Sequence, residues 1–161
     1  DGGRPRHPRA DGRAAVLMVR PAGPADFNVL MELAVLSGRG FTSLPEDEPT
    51  LRMRLATSQA SFRGELAPLE CWYTLMLEDT DAGEVIGVAG VKAGVGLKRP
   101  FFSFRVVTLA QHSAAVGTRF DHRALVLVNE CAGWTEVGSL FLRPERRAGG
   151  AGRLRAQSRY M

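Results

Sequence analysis

The chain has 161 residues, 45% of them apolar and 24% charged, with a formal net charge of +4. That is room for one domain, or part of a larger one, with a core that needs neither a metal nor a disulfide; wholesale disorder is excluded. No run reaches the roughly 18 uncharged apolar residues that a membrane span requires, so a transmembrane reading is excluded as well. The charge is unevenly placed: residues 1–15 carry +2, residues 143–161 carry +5, and the body between them is −3. A basic end of this kind points to a local anion site, whereas a nucleic-acid-coating surface would spread positive charge over a whole face.

Residues 1–15, DGGRPRHPRADGRAA, are rich in Gly, Pro and Arg without hydrophobic periodicity, and they read as a disordered basic leader. The leader has neither the apolar core of a secretory signal nor an amphipathic Arg/Ser pattern. Met18 is a candidate natural start. Val16 to Arg20 predicts a short strand stopped by Pro21. Pro24 then suits a first helical turn, with Asp26 complementing the helix dipole. Phe27, Leu30, Met31 and Ala34 recur at helical spacing up to Gly38. After the loop GRGFTSLPEDEP a second helix is expected, with Leu51, Leu55 and Phe62 on one face and Arg52, Arg54 and Arg63 turned to water.

Trp72 to Glu78 predicts a strand, Thr80 to Gly83 a hairpin turn, and Val85 to Val95 the returning strand. Phe101 to Leu109 is a further strand, followed by a polar connection with His112, Arg119 and His122 before Leu125 to Val128. Glu136 to Leu142 is the last strand, and a helix is expected from about Gly150. Its stop at Met161 predicts that the domain is incomplete at its C-terminus. This order makes an α/β (α+β) domain with a mostly antiparallel central sheet flanked by helices, covering residues 16–161. Cys71 and Cys131 lack metal-ligand spacing with each other or with His7, His112 and His122, and they read as buried or half-buried thiols of a reducing, cytoplasmic compartment. No metal site is expected. The histidines read as loop or surface residues.

The strongest chemical signal is Arg147-Ala-Gly-Gly150-Ala-Gly152-Arg153, an R-x-x-G-x-G pattern between a strand and a helix. Glycines allow a ligand to approach the backbone, and amide N–H groups at a helix N-terminus point at an anion. Arginines add charge with long reach. A diphosphate suits this loop, although Gly-rich turns also occur as plain connections. A P-loop motif is absent, and a dinucleotide-binding fingerprint would follow the first strand and not the last. The position of the pattern after the last antiparallel strand is similar to the acyl-CoA-binding loop of GNAT-type N-acyltransferases.

The segments VRPAGPADFNVLMELA, SGRGFTSLPEDEPTL, LEDTDAGEVIGVAGVKAGVGL, RVVTL and EVGSLFLRPERRAGGAGRL…SR together resemble the N-terminal half of arginine N-succinyltransferase. That family has two GNAT-like halves in a chain about twice this long. The resemblance implies transfer of a succinyl group from succinyl-CoA to the α-amine of L-arginine in bacterial arginine catabolism. The co-substrate is succinyl-CoA and no further cofactor is implied. Leu140 matches a position assigned to succinyl-CoA, and Arg147, Gly150 and Gly152 match the pyrophosphate loop. Ser158 and Arg159 match as well. The family's proton-donor histidine falls beyond Met161, so the resemblance implies acyl-CoA binding here without turnover by this chain alone.

The chain departs from the family mainly on the acceptor side. It reads FFSFRVVTL where the family is richer in tyrosine, Gln111 where a histidine is usual, and Ala151 where an asparagine is usual. A non-catalytic acyl-CoA-binding subunit or degenerate paralogue is therefore the alternative reading. No nucleic-acid or membrane partner is expected. A homo-oligomer, or a hetero-oligomer with a related subunit, is.

Overall fold

The computed structural model describes residues 16–147. Its elements, in order, are β1 (Leu17–Pro21), α1 (Phe27–Ser37), α2 (Glu48–Phe62), β2 (Trp72–Asp79), β3 (Glu84–Lys92), β4 (Ser103–Ser113), β5 (Thr118–Val128) and β6 (Glu136–Leu142). The described residues divide into two compact units: residues 94–134 form one, and residues 16–93 with 135–147 form the other. The expected leader and the expected helix near Gly150 lie outside the described residues.

The larger unit is built on a four-stranded antiparallel sheet in the order β1-β2-β3-β6. Alternation along the strands sends Met76, Val88 and Phe141 into a core with Leu30, Leu33, Ala34, Leu51 and Leu55 of the two helices. Leu77 and Leu142, one position out of step, form a smaller cluster with Leu17, Val19 and Ile86, which the register shift between β2 and β3 turns to this side. The antiparallel sheet with packed helices agrees with the fold expected from sequence. β6 also has the predicted bounds, because a mostly apolar run between Thr135 and Arg143-Pro144 leaves little choice of ends.

Local chemistry sets the helix ends. Gly23 and a 3-10 turn at Pro24–Asp26 lead into α1, and Gly38 closes it at φ 78°. Asp47 caps α2 by accepting from the Thr50 N–H at 2.9 Å. The Asp26 carboxylate does more than complement a dipole: it takes both terminal nitrogens of Arg20, at 2.7 and 2.8 Å, and the Gly23 N–H at 2.6 Å. Arg20 also donates to Glu78 at 2.5 Å, which ties β1 and β2 to the start of α1.

α2 differs from expectation on its inner face. Leu51 and Leu55 are buried as predicted, but Phe62 is 42% exposed and sets its ring edge-on against Tyr73 at 5.0 Å. The inner positions are taken by two serines. Ser58 Oγ accepts from the Thr74 N–H at 2.8 Å, and Ser61 Oγ accepts from the Trp72 N–H at 2.9 Å. The reason lies in the register of the sheet. β1 pairs only with Leu75–Asp79, so the first N–H groups of β2 need other acceptors, and the helix supplies them.

The smaller unit holds a long two-stranded hairpin, β4–β5, in continuous register from Ser103↔Val128 to Ser113↔Thr118. This corrects the expectation of a polar loop there: His112 and His122 sit on strands and are exposed. The polar residues misled the reading because a solvated ribbon needs no apolar alternation on either face. Phe104, Val106, Leu125 and Leu127 nevertheless line one face of it and are half or more exposed.

Ser58→Ala leaves the Thr74 N–H buried without an acceptor, and it is expected to lower stability by about 1–3 kcal/mol in urea unfolding. A loss below about 0.5 kcal/mol would show that this contact is dispensable. A second expectation concerns acid. Arg20 hydrogen bonding, against the opposing effect of burial, holds the Asp26 carboxyl below its usual range. Its stabilisation is therefore complete above the unfolded value near 4 and is lost as pH falls through the depressed folded value. The gap in urea midpoint between the parent and Asp26→Asn should be wide at pH 7 and narrow steadily below about pH 4. A gap constant down to pH 2.5 would refute this.

Candidate active site

β3 and β6 do not pair evenly. Gly90 faces Gly138 and Val88 faces Phe141, so Ser139 and Leu140 together stand against the single Ala89. This is a β-bulge, and Ser139 adopts φ 50°, a left-handed conformation uncommon outside glycine. Two contacts hold it there. Ser139 Oγ donates to the Ser43 carbonyl at 2.6 Å, and Gly90 offers no side chain to collide with it. A Cβ on Gly90 would come within 3.2 Å of both Cβ and Oγ of Ser139.

Beside the bulge lies a pocket of about 200 Å³, lined by Thr42, Ser43, Arg54, Trp72, Gly90, Lys92, Glu136, Gly138 and Ser139. The sheet register explains its floor. Trp72, Lys92 and Glu136 face one another across β2, β3 and β6, and the next row is Thr74, Gly90 and Gly138. Two adjacent glycines leave that row bare where the core would otherwise continue. α2 supplies one wall through Arg54. The loop before it supplies another through Thr42 and Ser43.

Arg54 corrects the sequence expectation, which turned it to water. Its guanidinium lies 4.6 Å from the Trp72 ring centroid and donates to the Ser43 carbonyl at 2.7 Å. Burial lowers its pKa from the usual arginine value, with nearby Glu136 opposing that shift. Lys92 approaches the same ring at 5.9 Å. The indole N–H of Trp72 is turned to Thr74 Oγ1 at 3.1 Å, which fixes the ring as a partition.

Of the residues singled out from sequence, Leu140 lies in the bulge and is half-buried. Arg147 is exposed, with Nε donating to the Leu142 carbonyl at 3.2 Å and its guanidinium 5.7 Å from the Phe141 ring. Gly150, Gly152, Ser158 and Arg159 lie outside the described residues. The basic end is also less free than its charge implies. Arg143 is paired through both terminal nitrogens with Glu32, at 2.7 and 2.9 Å, and Arg146 with Glu84 at 2.5 Å. The pocket residues were missed because arginine on a polar helix looks like a solvated face, and cross-strand register cannot be read along the chain. The segment RGFTSLP, which contains Ser43, was the available signal.

The family model described as arginine N-succinyltransferase beta subunit matches residues 17–161. The chain belongs to the arginine N-succinyltransferase family. An arginine N-succinyltransferase of Citrobacter koseri is 38% identical over 91% of this chain, and one of Escherichia coli is 37% identical over the same share. The chain spans 42% of the length of these relatives. The solved structure of arginine/ornithine succinyltransferase subunit AI from Pseudomonas aeruginosa superposes with a TM-score of 0.82 at 31% identity, covering 91% of this chain and 44% of that one. The antiparallel sheet flanked by helices that the sequence predicts is shared with this family member. Among the described residues no helix is long and apolar enough to cross a membrane.

Gly90→Val places a branched side chain against the bulge and is expected to lower stability by roughly 1–3 kcal/mol. Urea unfolding of the variant checks this, and an unchanged midpoint would show that the bulge yields freely.

Proposed function

We propose that this chain binds succinyl-CoA and forms the acyl-CoA side of an N-succinyltransferase that acts on the α-amine of L-arginine. The observation that carries the reading is the bulge in β6, on a strand that ends the sheet among the described residues. An unpaired strand edge offers N–H and C=O groups to the amides of a pantetheine arm, in the manner of an added strand. The bulge at Ser139 and Leu140 interrupts the ladder on the inner side, so the strand splays where a thioester would lie. Leu140 then contacts the acyl-CoA, and Arg147, Gly150 and Gly152 hold its pyrophosphate on the loop that follows β6.

The reaction needs a neutral amine to attack the thioester carbonyl, forming the N–C bond as the C–S bond breaks. One proton leaves the nitrogen and one reaches the departing thiolate. The family's histidine donor is expected beyond Met161, so turnover draws on a part of the enzyme outside residues 1–161. No resident cofactor or metal is assigned. An assembly with a second copy or a related subunit is part of this reading, supported by the apolar face of the β4–β5 hairpin, since an isolated two-stranded ribbon is marginal in water. Two free thiols, Cys71 buried and Cys131 half-buried, support a cytoplasmic setting.

Binding is measured by titration with succinyl-CoA, and transfer by release of free CoA thiol with and without L-arginine. Gly152→Val should weaken succinyl-CoA binding on the order of tenfold or more, by blocking close approach to the loop amides. Unchanged affinity in the folded variant would remove the phosphate-loop assignment. Thiol release should become arginine-dependent only when the histidine-bearing half is present. Rapid arginine-dependent release from residues 16–161 alone would overturn the division of labour.

A further inference from the structure

The pocket beside the bulge contains more positive charge than its own groups neutralise. Among the described residues, Arg54 donates to one acceptor, the Ser43 carbonyl, although a guanidinium has five N–H donors in a planar fork. It forms no ion pair there, in contrast to Arg20, Arg143 and Arg146, which are all matched to carboxylates. Lys92 likewise has the Trp72 ring and no carboxylate within ion-pair distance. Glu136 reduces the pocket to a net +1, which suits a singly charged anion better than a phosphate. The space, about 200 Å³, is several times the roughly 30 Å³ share of a water molecule.

A half-buried guanidinium with unused donors is costly unless a partner arrives, and the partner that matches its fork is a carboxylate. The Trp72 ring lies 4.6 Å from the guanidinium carbon and the Ser43 carbonyl fixes one of its nitrogens, so the group is held in place before anything binds. We propose that Arg54, flanked by Lys92, is the receptor for a substrate carboxylate. Because Gly138 and Ser139 line this pocket and also begin the bulge, the carboxylate is the free one of the succinyl group. Arg54 is then the residue that makes the enzyme prefer a dicarboxylic acyl-CoA over an acetyl-CoA. This inference rests on the acyl-CoA reading of β6 given above. The remaining source of the same chemistry is the α-carboxylate of the amino-acid acceptor.

The test is calorimetric titration of the purified protein with succinyl-CoA, acetyl-CoA and L-arginine, repeated for Arg54→Met, Arg54→Lys and Lys92→Met. Arg54→Met should weaken succinyl-CoA tenfold or more while acetyl-CoA moves less than twofold, so the preference between the two collapses. Arg54→Lys keeps the charge without the fork and should lose only part of that preference. It also gives a reading if the methionine variant does not fold. Lys92→Met should weaken succinyl-CoA by a few-fold. A parallel loss for both thioesters, or no loss for either, overturns the proposal. Weakening confined to L-arginine overturns the assignment to the acyl group and places the acceptor carboxylate in the pocket. If the unaltered protein binds neither thioester, the acyl-CoA reading itself fails, whereas normal succinyl-CoA binding with an unchanged preference in Arg54→Met defeats this inference alone.

Discussion

The carbonyl oxygen of Ser43 accepts two hydrogen bonds, one from Ser139 Oγ on β6 and one from Arg54 on α2. Through that single atom the loop after α1, the second helix and the irregular strand are held in one arrangement. Ser139 keeps its left-handed backbone because its hydroxyl has this acceptor and because Gly90 opposite has no side chain. Arg54 keeps its guanidinium over Trp72 because the same oxygen fixes its position. The loop itself is anchored by Leu44, 3% exposed in the core, and by Phe41, whose ring meets Phe141 edge-on at 6.1 Å. Apolar packing therefore sets where the carbonyl sits, and the carbonyl sets the geometry of the polar pocket.

The treatment of charge follows the same division between frame and site. Arg20, Arg143 and Arg146 join elements by pairing with carboxylates on neighbouring segments: Asp26 and Glu78, Glu32, and Glu84. Each charge is compensated on the spot, so each acts as a fastener. Arg54 and Lys92 share an aromatic ring instead and retain unmatched positive charge beside a bare floor of two glycines. The arginine count in the sequence does not distinguish these two roles. Their surroundings do.

β6 shows why a strand can be legible and its function only partly so. Its mostly apolar composition and its flanks define EVGSLFL as a strand, and reading the R-x-x-G-x-G pattern after it as an anion site needs local sequence alone. Family membership, carried by RGFTSLP and EVGSLFLRPE, was likewise visible in the residues. The bulge was not, since it is a property of two strands together: an extra residue in β6 is extra only relative to β3. Nor could Leu140 be placed at that irregularity before the partner strand was known.

The sequence by itself determined the order and type of elements in the larger unit, because hydrophobic periodicity, Pro24, Gly38, Asp47 and Gly83 act within a few residues of themselves. It determined the family for the same reason, through contiguous motifs. Tertiary structure alone decided three things. It turned Arg54 inward onto Trp72, 18 positions away along the chain. It supplied Ser58 and Ser61 as acceptors for the open start of β2, where β1 stops short. It made a continuous ribbon of the polar stretch around His112 and His122, whose pairing partners are each other's strands. In every case the deciding partner lies on another element, and packing and hydrogen-bond satisfaction between elements are settled only once the sheet register is set.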